Sequence, residues 1–204
     1  MVLSPRFDQA LVYAADLHRQ QLRKGSPIPY LTHLLGVASL VFSHGGDEEL
    51  GIAALLHDSL EDGPEYSGRS WEEIEAQIRE QFGERVLQIV LDCTDTDSTG
   101  QKESWQQRKS RYLQRMAQSR DPGYLLVTTC DKLHNLHAIW LDRQMVGEGI
   151  WQRFTAPKAA TLWYYQEIGR IVQQQAQAGQ IPKVLSQQYQ ILLQSLLATA
   201  LVTS

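Results

Sequence analysis

Ala53-Ala54-Leu55-Leu56-His57-Asp58-Ser59-Leu60-Glu61-Asp62 sets an apolar run directly against a cluster of ionisable side chains. The apolar half reads as a helix buried in its earlier turns, so His57 and Asp58 fall at the end of that helix. Glu61 follows His57, and Asp62 follows Asp58, at the spacing of one helical turn. Each pair therefore shares a side of the helix or of its extension. Ionisable groups placed against a buried run are costly to fold unless something satisfies them. A divalent cation would satisfy this set.

Outward from this segment, helical periodicity appears nearly everywhere and strand alternation almost nowhere. Phe7, Leu11, Ala14, Ala15 and Leu17 form one face of an opening helix, expected to end before Lys24-Gly25-Ser26-Pro27. Thr32 is the expected cap of a helix bearing His33, Leu34, Val37, Leu40 and Val41. Gly45-Gly46-Asp47 breaks the chain, and the next helix is expected from Glu48 through His57 to Leu60. Gly63-Pro64 reads as the start of a loop reaching Arg69, and Ser70 with Glu73 forms a capping-box pattern. Gly83 is read as separating two short helices, and residues 94–100 as a polar, turn-rich segment. Further helices are expected over 102–118, from Asp121-Pro122 onward, over 157–178 and over 182–202, with Gly179 between the last two. The expected fold is all-α: a single domain over residues 1–204, a bundle of about eight to ten helices.

A chain of 204 residues, 43% hydrophobic and 21% charged, has the makeup of a globular domain with its own core. Its formal net charge of −4, without a long basic run, argues against a nucleic-acid partner. An acidic chain can still take a phosphate substrate when a metal supplies the positive charge. Cys93 and Cys130 sit in helical contexts and read as small buried hydrophobes. Residues 1–8 lack the layout of a signal peptide, and the apolar stretch 191–202 falls well short of the roughly 20 residues a membrane helix needs. These features point to a cytoplasmic protein with no membrane association.

Two more residues share the setting of His57 and Asp58. His33 stands at a helix start before an apolar face, and Asp131 lies in the apolar run Val127-Thr128-Thr129-Cys130-Asp131-Lys132-Leu133. Imidazole with carboxylate is a ligand set suited to Mn²⁺, Fe²⁺ or Zn²⁺ with positions left for water and substrate.

A His, then a His-Asp pair, then a distant Asp resembles the HD superfamily of metal-dependent phosphohydrolases. Arg23-Lys24-Gly25 before Pro29-Tyr30 and His33, then His57-Asp58 with Glu61-Asp62, then Asp131-Lys132-Leu133-His134-Asn135-Leu136, narrows it further. This pattern, over residues 7–141, is similar to the hydrolase domain of the Rel/SpoT alarmone enzymes and to the stand-alone small alarmone hydrolases. The resemblance implies removal of the 3′-diphosphate from guanosine tetra- or pentaphosphate, giving pyrophosphate and GDP or GTP. It implies His33, His57, Asp58 and Asp131 as ligands of a divalent metal, usually Mn²⁺. It makes Glu61 and Asp62 the acids that handle the attacking water, Arg23 and Lys24 the contacts to the guanine base, and Asn135 a nucleotide contact.

The chain departs from the family pattern at Leu34, where Pro usually follows the first histidine, and at His137 and Ala138, where a basic residue and Thr are common. The second departure leaves open an HD phosphohydrolase for another nucleotide or phosphoester; the other alternative, a non-catalytic nucleotide-binding HD module, is opposed by Glu61 and Asp62, a water-activating pair that a binding module does not need. His18, His44 and His137 are assigned no role. Tyr189, Leu192, Leu193, Leu196 and Leu197 form an apolar face that suits either core or a contact between copies of the chain in a homo-oligomer.

Overall fold

The computed structural model describes residues 2–95 and 103–201, with side chains to residue 198, and the secondary structure there is helical apart from one isolated β-bridge. Most of the expected polar segment at 94–100, the first residue of the helix expected at 102 and the last of the one expected to reach 202 lie outside the described residues. The contacts divide the chain into two compact units, residues 1–103 with 126–128, and residues 104–125 with 129–204.

The first unit holds α1 (Pro5–Leu17), α2 (Leu31–Ser43), α3 (Glu48–Leu56), α4 (Ser59–Ser67) and α5 (Trp71–Cys93). Ser4 caps α1 with its side chain on the Arg6 amide, and Pro5 opens the helix, where a missing N–H costs nothing. α1 ends at Leu17, earlier than its periodicity suggests, because the chain turns into a small antiparallel loop. Leu22 bridges Pro29, Arg23 N–H donates to Ile28 O at 2.8 Å, and Tyr30 N–H to Gln21 O at 2.9 Å. These bonds satisfy backbone groups that a longer helix would have paired internally.

Thr32 is not the cap of α2: Tyr30 occupies that position, and the Thr32 hydroxyl donates back to Pro29 O at 2.8 Å. α2 packs on α3, which lies against α1 and α5. The α2–α3 approach is close at Gly51, where a Cβ would fall 2.2 Å from the Phe42 ring.

The helix expected through His57 to Leu60 instead breaks at the pair. α3 stops at Leu56, Asp58 adopts φ −99°, ψ 3°, and α4 begins at Ser59. Gly63-Pro64, expected as a loop, lies inside α4. Proline normally clashes with the Cβ of the residue before it when that residue is helical; Gly63 has none. The same missing Cβ would fall 2.9 Å from Ile74 Cδ1 on the packed α5. α5 opens with the full Ser70–Glu73 capping box, and Gly83, at φ 84° and ψ 169°, kinks it into two helical stretches as expected.

The second unit holds α6 (Trp105–Gln118), most of α7 (Pro122–Val146), a 3₁₀ segment (Gly147–Arg153), α8 (Lys158–Gln177) and α9 (Lys183–Leu201). Ser104 and Gln107 form a capping box for α6, and Asp121 caps α7 ahead of Pro122. α8 packs on α6 and α9. Tyr189, Leu193 and Leu196 are buried in this unit, and the Tyr189 hydroxyl donates to Tyr165 O at 3.1 Å, so the apolar face of α9 serves as core. Cys93 and Cys130 are buried free thiols, as expected. No helix among the described residues is long and apolar enough to cross a membrane.

Candidate metal centre

His33 comes from the first turn of α2, His57 closes α3, and Asp58 occupies the break before α4. Each offers one ligand atom, and those atoms lie within 4.8 Å of one another. Both imidazoles are buried, at 0% and 1% exposed, while the Asp58 side chain keeps 19% of its surface open. His57 Nε2 lies 2.9 Å and His33 Nε2 3.7 Å from Asp58 Oδ2. The interrupted helix is what makes this possible, since a continuous one would fan successive side chains about 100° apart.

The His57 ring is oriented from behind: its Nδ1 sits 2.8 Å from Ala54 O. A carbonyl only accepts, so Nδ1 carries a hydrogen and Nε2 is the ring atom that meets the Asp58 carboxylate. At 2.9 Å that contact calls for a proton or a metal ion between nitrogen and oxygen, and in the neutral ring Nε2 is the atom whose lone pair can bind the ion. An ordered imidazole whose other nitrogen is held by a carbonyl is also the usual preparation of a metal ligand. By donor type and by this arrangement, His33, His57 and Asp58 fit a divalent ion.

Asp58 has a further partner that its sequence setting does not reveal. The Tyr30 hydroxyl donates to Asp58 Oδ2 at 2.5 Å, in the range of a charge-assisted bond. The Tyr30 ring lies 5.4 Å, centroid to centroid, from His33 and 5.5 Å from His18.

Beyond the break, Asp62 keeps the one-turn relation to Asp58, with its N–H donating to Asp58 O at 2.9 Å, whereas His57 and Glu61 are divided by the end of α3. Asp62 Oδ2 accepts from Gln21 Nε2 at 2.7 Å. Burial, and then the neighbouring Asp58 carboxylate, push the Asp62 acid up to about 6, with the Gln21 bond acting the other way. Glu61 Oε2 accepts from the Asp95 amide at 3.4 Å. His18, unassigned from sequence, is 2% exposed and meets Gln21 Oε1 through Nδ1 at 2.6 Å. Its burial lowers its basicity, against the opposing effect of the Gln21 bond. Gln21 is missing from the residues singled out by sequence, and Tyr30 stands in the quoted pattern without a role, because each meets its acid only through folding; the i, i+3 spacing of His18 and Gln21 after α1 is a local signal for that pair alone.

Arg23 and Lys24 lie on the bridged loop after α1, Arg23 half-buried and Lys24 exposed. Asp131 belongs to the second unit, on α7, and is 4% exposed. Lys132 Nζ donates to its Oδ2 and Asn135 Nδ2 to its Oδ1, each at 2.6 Å. Lys132 also stands 4.7 Å over the Tyr112 ring. Burial opposes the charge on Lys132, but the Asp131 carboxylate and nearby tyrosines raise its basicity. The structure thus draws His33, His57 and Asp58 into one cluster, and holds Asp131 and Asn135 together in another. His137 is exposed, and its ring stacks on Trp140 one turn along α7.

Residues 10–154 match the model of the HD domain family. The chain belongs to the HD domain family. It is 34% identical, over 67% of its own length, to the guanosine-3′,5′-bis(diphosphate) 3′-pyrophosphohydrolase of Aquifex aeolicus, of which it spans only 18%. It is 35% identical to the MESH1 enzyme of Drosophila melanogaster, which bears the same activity name, over 68% of this chain and 72% of that one. Among solved structures it resembles, with TM-score 0.72 and 25% identity over 95% of this chain and 97% of the other, a metazoan ortholog of SpoT described as hydrolysing ppGpp.

Proposed function

We propose that this chain is a metal-dependent 3′-pyrophosphohydrolase of guanosine tetra- or pentaphosphate, with Mn²⁺ as its ion. The observation that carries the reading is the His33–His57–Asp58 cluster followed, within one turn, by a half-buried acid with its proton affinity raised toward neutrality. The activity names of the similar Aquifex and Drosophila proteins supply the substrate class. The reading takes residues 1–204 as one phosphohydrolase domain, supported by a family match that runs through both compact units.

In this proposal His33, His57, Asp58 and Asp131 hold the ion. Asp131 enters on its place in the family pattern and on its burial within an apolar run. When bound, a divalent ion supplies the positive charge that polarises a phosphoryl oxygen and makes a nearby water more acidic. Water attacks the phosphorus joined to the ribose O3′, the P–O3′ bond breaks, and pyrophosphate leaves. Glu61 and Asp62 take the proton from that water and return one to O3′; a carboxyl with an acid constant near the working pH suits both halves of that exchange. Arg23 stacks on the guanine and Lys24 meets its carbonyl or a phosphate, which the planar guanidinium and the compact ammonium respectively favour. Asn135 contacts the nucleotide, its amide already anchored on Asp131.

The test is product analysis with ppGpp and Mn²⁺, with EDTA as control and GTP for comparison. Release of GDP and pyrophosphate, abolished by EDTA and absent with GTP, is the expected result. Protein that holds metal but leaves ppGpp intact would remove the alarmone reading and return the question to other nucleotides.

A further inference from the structure

We propose that His18 and Gln21 are positioning residues, a buried pair that holds the Asp62 carboxylate for its exchange with the attacking water. The inference rests on the reading of Asp62 given above, but its structural half stands alone. α1 ends at Leu17, and His18 is its C-cap, with the backbone N–H still bonded to Ala14 O. That placement turns the His18 ring inward to 2% exposure and brings Gln21, at 6%, beside it. Gln21 then spans 41 positions of sequence to reach Asp62.

The hydrogens along this chain are set by what each atom can do. An ionised Asp62 only accepts, so the group 2.7 Å from its Oδ2 is the Gln21 amide nitrogen. The Gln21 oxygen then faces His18 Nδ1 at 2.6 Å and also only accepts, so Nδ1 carries the ring hydrogen. The run is Nδ1–H of His18 to Oε1 of Gln21, and Nε2–H of Gln21 to Oδ2 of Asp62. Its order fixes both the amide flip and the tautomer. The reverse order needs a protonated Asp62 donating to Gln21 and a His18 that carries its hydrogen on Nε2.

Two buried polar side chains in series are a costly way to follow a helix whose Ala10, Ala14 and Leu17 are fully buried. What they achieve is direction: Asp62 can turn about χ1 and χ2, and a donor locked from behind by His18 leaves one carboxylate oxygen held and the other presented. The Tyr30 ring, against both His18 and His33, ties the same loop to the metal cluster.

The first measurement is the nitrogen-15 spectrum of the histidine rings of the whole protein. An Nδ1–H pattern at His18 that disappears in Gln21→Met is expected; an Nε2–H pattern in the wild type overturns the chain as ordered here. The second is kinetics on Mn²⁺-loaded protein that turns over ppGpp. Gln21→Met and His18→Leu are expected to lower kcat by about 10- to 100-fold, the usual range for partners that orient a working group, with KM and metal content held. His18→Asn, whose amide nitrogen takes the place of Nδ1, is expected to recover most of the loss relative to His18→Leu. Unchanged kcat in Gln21→Met, or a loss in His18→Asn as deep as in His18→Leu, overturns the positioning role. Wild-type protein that leaves ppGpp intact defeats the functional reading instead, and the His18 tautomer then decides the hydrogen-bond chain by itself.

Discussion

Asp58 is the residue on which the candidate centre converges, since His33, His57 and Tyr30 all address its Oδ2. Asp58→Ala and His57→Ala are expected to abolish stoichiometric metal binding, read by elemental analysis, while far-ultraviolet dichroism stays helical. Tyr30→Phe removes one hydroxyl behind a ligand and is expected to weaken metal affinity about 10- to 100-fold. Glu61→Gln, by contrast, is expected to retain metal and lose turnover by about 10²- to 10⁴-fold, the range for a lost proton-transfer group. Asp62 has its own signature in chelator-treated protein. Its folded acid constant, about 6, lies above its unfolded value, so the protonated form is the better fit to the fold. Its contribution is therefore most favourable below the unfolded value and is lost as pH rises from about 4 to 6. Asp62→Asn is expected to flatten the stability profile in that window; an unchanged slope in urea titrations would show that the acid is not raised. The ligand residue types were legible in the sequence, because an apolar run ending in His57-Asp58 is a local pattern. The roles of Tyr30, Gln21 and His18 were not, because a phenol, an amide and a lone imidazole mean nothing until a distant carboxylate arrives beside them.

At the scale of elements, caps and breaks decide where the site can form. Ser70 and Glu73 close the start of α5 with both bonds of a capping box, and Ser70→Ala is expected to cost about 1 kcal/mol. Gly51 lets α3 close on α2, the helices that bring His57 and His33. Gly51→Ala sets a methyl against the Phe42 ring and is expected to cost about 1–3 kcal/mol, read as a lowered chemical midpoint. The capping box, the Asp121-Pro122 start and the Gly83 kink were readable because each is specified within a few residues. The α3–α4 break was not, because nothing local at Asp58 forbids helix, and the loop expected at Gly63-Pro64 failed because glycine relieves the strain that proline imposes on its predecessor. α1 was overextended for a similar reason: the residues after Leu17 are acceptable in a helix, and the bridge from Leu22 to Pro29 wins instead.

For the molecule as a whole, the ion is expected to couple to stability. A ligand that binds the folded chain alone stabilises it by about 2.7 kcal/mol at a hundred times its Kd. Thermal unfolding with added Mn²⁺ should therefore move to higher temperature, EDTA should reverse the shift, and Asp58→Ala should show none; an equal shift in the variant would mean that the ion binds elsewhere. The sequence by itself determined the all-α class, the capped starts of α5 and α7 and the kinds of residue that bear the chemistry, since periodicity, caps and ligand types are written in neighbouring positions. Only the tertiary structure decided which atoms meet: the two imidazoles on Asp58, the Tyr30 hydroxyl behind it, and Gln21 bonded to Asp62 across 41 residues. Those meetings depend on how buried helix faces pack, at distances along the chain over which no local pattern carries information.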